Sequence, residues 1–374
     1  MKDFASALGL LVVTTLLPLS SIAQEPLPAD VNPGSRNRLP ALGADSAQGV
    51  EGIMRHGSGV DVRFEPAFGR ALSELAILIV AREHDQPYEW SLHETEALAV
   101  GLDPQVINVV RNRGTLTGLD EREAIIVQIG RELFGEHTLS AETYARAVGE
   151  FGETNLVDIV SLMGNYVATA LRLTAFNQQM PPGWAQFLPL PFTPPDDILP
   201  DTRSRLPRIA PRPRSQAAEP VLYSRGLAPA GTGPGQIRGH GAGQAALERN
   251  VGRRTMDLAV LVTARARDAQ YLWTTTELAA ATHGLEPAVI DVVRYGRPTT
   301  GLAERDAILI DFGRELFGAH IVSAATYARA RELFGQSDLV DLIDLMARSA
   351  ERATLLAAFD QHLPAGQAPL LPRR

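Results

Sequence analysis

Apolar residues recur at helical spacing through most of the chain. Leu72, Leu75, Ala76, Ile79 and Val80 form one stripe, on a helix that Pro66 can open. Pro87 suits the first turn of a second helix, which Gly101 stops. Asp103-Pro104 joins an N-cap to a proline at the first helical position and predicts a short third helix. The stretch from Leu119 to Glu136 keeps Ile125, Ile126, Ile129 and Leu133 on one side, and Ser140 caps the helix after it. The last helix is expected from Asn155 to about Gln178. Neither alternating strands nor a hairpin turn can be read, so the predicted class is all-α.

The pattern is then used a second time. Tyr88 matches Tyr271, Trp90 matches Trp273, and Gly101-Leu102 matches Gly284-Leu285, each pair 183 positions apart as 88 and 271 show. Gly130-Arg-Glu-Leu-Phe-Gly135 returns letter for letter as Gly313 to Gly318, and Ala141 to Arg146 returns with one change as Ala324 to Arg329. The spacing holds from Glu74 to about Gly183, which marks a duplicated module. Pro33 to Pro40 also resembles Pro200 to Pro207, so the arms before the modules are related. The expected organisation is an arm at 24–65, a first module at 66–180 and a Pro/Gly/Arg-rich strap at 181–250. A second, degenerate module at 251–364 and a tail at 365–374 complete it. Residues 1–23 read as a signal peptide: Lys2 is followed by the apolar run Leu8 to Leu19 and the small-x-small site Ser21-Ile22-Ala23. A secreted or periplasmic protein is expected, with no membrane association after cleavage. No later apolar run reads as long enough to span a bilayer.

Composition narrows the chemistry. The 374 residues carry a net charge of -8, which gives no general pull toward nucleic acid. There is no cysteine, and Lys2 is the only lysine. Thiol nucleophiles, thiolate metal sites, Schiff bases and a P-loop are therefore excluded. Catalysis has to come from His, Asp, Glu, Tyr, Ser, Thr, Arg or a bound metal.

Glu89, His93 and Glu96 fall on one face of the second predicted helix, and Glu74 of the preceding helix can meet them across a hairpin. A carboxylate beside His93 is expected to raise its pKa, as a general acid–base group needs. The bland alternative is an exposed ion pair. The second copy has Leu272 for Glu89, Thr276 for His93 and Asp257 for Glu74, which suggests that the Glu89 position faces an interior. His137 and His320 match, and both read as structural groups bonding the last carbonyls of a helix. Tyr88 and Trp90 are expected as anchors and pocket walls. His56, in a Gly-flanked stretch of the arm, and Asn165 with Tyr166, which the second copy replaces, complete the candidate binding residues. Glu89, His93 and Glu96 could form a facial metal set, but no second histidine-bearing motif completes it, so neither metal nor cofactor is expected.

Glu74-Leu-Ala-Ile-Leu, Tyr88-Glu-Trp-Ser-Leu-His93 and Gly101-Leu102 together resemble the carboxymuconolactone decarboxylase family. That family shares its all-helical fold with the alkylhydroperoxidase D-like proteins, and the resemblance covers both modules. It implies a chain equivalent to two fused subunits and a homo-oligomeric assembly. The hydroperoxidase branch needs two cysteines, which fall here at Gln86 and Glu89, so its thiol cycle cannot run. The decarboxylase branch implies a small carboxylated lactone or related organic acid as substrate. His93 would be the acid–base group, Glu89 would tune it and Glu74 would orient it or relay protons. An arginine, from the strap, would hold the substrate carboxylate. A non-catalytic helical scaffold or small-molecule binding protein is the alternative, and thiol-independent peroxidase-like activity a third.

Overall fold

The computed structural model describes residues 26–43, 48–190, 196–209 and 231–372. The leader expected at 1–23 lies outside the described residues, as does 210–230 of the strap. The described residues form helices and irregular segments without a strand, so the chain is all-α.

The first repeat consists of α1 (Gly49–Met54), α2 (Arg70–Glu83), α3 (Pro87–Ala99), α4 (Pro104–Arg111), α5 (Glu121–Arg131) and α6 (Ala141–Ala175). The second consists of α7 (Gly233–Arg238), α8 (Gln244–Ala266), α9 (Gln270–Thr282), α10 (Pro287–Arg294), α11 (Glu304–Arg314), α12 (Ala324–Phe334) and α13 (Gln336–Ala358). Several predicted starts are capped as expected. Asp103 accepts from the Gln105 amide, Asp120 closes a capping box with Glu123, and Ser140 accepts from the Thr143 amide.

Two boundaries differ from the expectation, each for a local reason. The first long helix begins at Arg70 rather than Pro66, because Gly69 at φ 95° breaks the helical path. The division expected between the Ser140-capped helix and the last helix is present within α6, where Gly152 at φ 74° is non-helical. At the matching Gly335, φ 77°, the chain divides into α12 and α13. The stretch ending at Glu136 finishes in a π-helical turn, Glu132–Glu136. It is pinned there by the Glu132 carboxylate, which accepts from the Ser140 amide at 2.7 Å and the Thr143 hydroxyl at 2.6 Å. α6 also corrects the expectation about apolar runs: it is long and apolar enough to cross a membrane, but its apolar window is 83% buried inside the fold.

α6 and α13 pack together along the boundary between the repeats, with α2 on one side and α8 on the other. The two arms cross that boundary. Arg38 of the first arm donates from its amide to Phe359, and His362 donates back to Arg36, so this arm docks on the end of the second repeat. The strap does the converse, with Arg205 bonded to Phe176 and Gln179 bonded to Arg203. Each buried arginine also ties both repeats together. Arg38 donates to the carbonyls of Leu139 and Ala358, and Arg205 to those of Ala175 and Val322.

The two matched histidines take part in this exchange. His137 lies 3.3 Å from Asp268, and His320 lies 3.6 Å from Asp85. They are structural, but they pair across the repeats instead of closing their own helix ends.

Candidate active site

The α2–α3 hairpin brings the chemistry together. Its turn uses Asp85 in the left-handed region at φ 47°, and the Gln86 side chain then caps α3 by accepting from the Tyr88 amide. The same side chain donates to Thr174 at 3.0 Å, which fixes the start of α3 against α6. α2 thereby presents Glu74, which is 0% exposed, to His93 of α3, which is 6% exposed. The His93 Nδ1 lies 2.7 Å from Glu74 Oε2. The exposed ion pair is thus ruled out, and the carboxylate that meets His93 comes from the neighbouring helix.

Arg70 approaches the other Glu74 oxygen at 3.4 Å. Tyr166 of α6 sets its ring edge-on to His93 at 4.9 Å, and the Arg63 guanidinium lies over the same Tyr166 ring at 5.7 Å. Arg63 comes from the irregular segment 59–69 between α1 and α2, where Ser73 of α2 donates to the Val62 carbonyl at 3.2 Å.

The electrostatics overturn one expectation. Burial holds His93 below its ordinary pKa, and the pull of Glu74 in the opposite direction does not offset it. Burial also acts to raise Glu74, but there His93, Arg63 and Arg70 prevail and the carboxyl is held low. The two shifts describe one arrangement: an ionised Glu74 accepting from the Nδ1–H of a neutral imidazole. His93 Nε2 is then the basic nitrogen. Glu89 behaves in the opposite way. It is 2% exposed, neither carboxylate oxygen has a hydrogen-bond partner, and burial drives its pKa well up despite the opposing charge of Arg63. It is a neutral acid, not a carboxylate tuning its neighbour. Glu96, on the same helix, also has an unpartnered buried oxygen.

The other sequence candidates lie elsewhere. Trp90 is fully buried and donates to Glu94 at 2.6 Å, with Arg111 against Glu94, and Trp273, Glu277 and Arg294 repeat the set. Trp90 is a core anchor. Tyr88 is buried and its hydroxyl meets Thr232 at 2.8 Å, so it secures the chain entering α7. Asn165 is exposed, and the structure places His56 on a small cleft with Ser35 and Asn37, outside the Glu74–His93 set. The strap arginines Arg203 and Arg205 are engaged with Met180 and Asp197 rather than with the Glu74–His93 pair.

Sequence comparison missed two residues. The first is Arg63, six positions before Gly69, whose match Gly252 keeps the spacing of 183. At that spacing its counterpart is Ala246, so an arginine is replaced by a small apolar side chain, and Glu89 by the buried Leu272. That contrast was available, but segment 59–69 has no helical period to draw attention to it. The second is His283. It lies seven positions, two helical turns, beyond Thr276, and meets Asp257 at 2.6 Å. The second repeat therefore keeps an acid–imidazole contact, at a more exposed place.

Among the described residues no group of three or more His, Asp and Glu side chains is placed to hold a metal ion. No family model, curated protein or solved structure matches the chain.

Proposed function

We propose that the chain is a tandem member of the carboxymuconolactone decarboxylase family, and that its first repeat performs acid–base chemistry on a small carboxylated lactone or related organic acid. The observation that carries this reading is the buried 2.7 Å contact between Glu74 and His93, beside a Glu89 that burial keeps protonated. Burial raises the proton affinity of Glu89 and lowers that of His93, so a protonated acid and a neutral base stand side by side. Glu89 is then the acid, His93 the base and Glu74 the group that orients the imidazole.

In a decarboxylation the bond to the carboxylate carbon breaks, CO2 leaves, and the electron pair enters the conjugated lactone as an enolate. The carbon takes the Glu89 proton, and His93 relays a solvent proton back to Glu89. A proton-shift isomerisation would use the same pair, with His93 removing a proton and Glu89 supplying one.

The test is release of CO2 from a panel of carboxylated γ-lactones. His93→Ala should lower turnover by about two to four orders of magnitude, the usual worth of a general acid–base group. Thr276→Ala should leave it unchanged. Turnover that survives His93→Ala would sink the assignment and leave a helical binding protein, and loss on Thr276→Ala would move the chemistry to the second repeat.

A further inference from the structure

We propose that Arg63, together with the buried Glu89, holds the carboxylate of a small organic acid against the Glu74–His93 pair, a role that rests on the acid–base reading of that site. Four observations converge on it. The Arg63 guanidinium and the His93 imidazole meet the same Tyr166 ring, at 5.7 and 4.9 Å, so a group held by Arg63 lies beside the imidazole. Arg63 is only half-buried while His93, Glu74 and Glu89 are buried, which puts its positive charge between solvent and the reacting groups. An arriving anion meets it first, with the half-buried Arg70 close to the same Glu74.

Glu89 supplies the third observation. A carboxyl 2% exposed with two unpartnered oxygens is costly to keep unless a polar ligand completes it. Protonated, it has one O–H to donate, and a ligand carboxylate oxygen is a suitable acceptor. A guanidinium and an acid O–H together satisfy two oxygens of one carboxylate. The fourth is the contrast between repeats. Where the first has Arg63 and Glu89, the second has, at the spacing of 183 that Gly69 and Gly252 keep, Ala246 and the buried Leu272, so the charge receiver and the orphan acid disappear together.

The segment that carries Arg63 fits the role. Gly59 and Gly69 bound it at φ 73° and 95°, so both ends adopt backbone that side chains resist. The Phe64 ring packs against both Arg63 and Arg70, at 4.9 and 5.1 Å.

The experiment is calorimetric titration of the full chain with levulinate, cis,cis-muconate and 5-oxotetrahydrofuran-2-carboxylate, with levulinamide and sulfate as controls. At least one carboxylate should bind saturably, while levulinamide and sulfate bind at least ten-fold more weakly. Arg63→Gln should weaken the carboxylate at least ten-fold, Arg63→Lys should recover part of the loss, and Arg113→Gln, on a more exposed guanidinium beside Glu83, should change nothing. Glu89→Gln, which keeps a donor, should bind within about three-fold of the parent, whereas Glu89→Leu should lose binding. No saturable binding by any of the three acids, equal binding of the amide, or binding indifferent to Arg63→Gln overturns the proposal. Binding that depends on Arg63 without CO2 release from any lactone would remove the decarboxylase reading and leave this one. CO2 release unaffected by Arg63→Gln does the reverse.

Discussion

Glu89 and His93 sit one turn apart on α3, and burial drives them toward opposite proton states. The consequence for stability differs in sign. Glu89 has a folded pKa above its ordinary 4.5, so the folded chain binds more protons than the unfolded one above that pH, and stability is lost as pH rises. Glu89→Gln removes this cost. We expect it to raise the unfolding free energy by about 1–3 kcal/mol at pH 8 and by little at pH 4, read by denaturant melts at both. His93 has a folded pKa below its ordinary 6.5, so its contribution is lost as pH falls below that value. His93→Gln should flatten the acid side of the same profile. The i,i+4 spacing made both residues legible in the sequence, along with Glu74. Their proton states were not legible, because spacing reports which groups share a face and says nothing about how much water reaches them.

At the scale of elements, the repeated Gly130-Arg-Glu-Leu-Phe-Gly135 marks a close helix contact. A side chain on Gly130 would collide with Ile79 of α2, and one on Gly313 would collide with Val262 of α8. Gly130→Ala should destabilise the chain by about 1–3 kcal/mol through overpacking, seen as a lower Tm, while Gly149→Ala, at an exposed position of α6, should not. The helices themselves were legible from apolar periodicity and from caps such as Asp103, Asp120 and Ser140. The π turn at Glu132 was hidden, because it depends on a carboxylate folding back onto Ser140 and Thr143 eleven residues away at most. Segment 59–69 was hidden for another reason: its importance lies in where Arg63 ends, and an aperiodic stretch carries no signal of that.

The whole molecule is held by exchange between its repeats. Arg38 and Arg205 occupy matching positions in the two arms, are nearly fully buried, and pair with Asp30 and Asp197 at 2.8 and 2.6 Å. Each reaches carbonyls in both repeats, so removing either leaves those carbonyls, and a half-buried carboxylate, without their donor. Arg205→Ala should cost about 3–5 kcal/mol, and the two repeats should lose structure together in one transition. Hydrogen exchange checks this, with early opening of the second repeat alone as the contrary outcome. At the centre of the boundary, burial pushes His84 well down and Arg267 to about 10, and the His84 ring stacks on His320. The duplication and the kinship of the arms were plain in the sequence from Pro33 to Pro40 and Pro200 to Pro207. Their crossing was not, since likeness between two segments does not say which surface each one docks on.

The account turns on the proton state of His93, and nitrogen-15 NMR of its ring nitrogens between pH 4 and pH 9 measures that directly. A neutral imidazole at pH 7, protonated on Nδ1 and charging only below its ordinary 6.5, is the predicted result. An imidazolium that persists through pH 7 would contradict it, because His93 could not then act as the base.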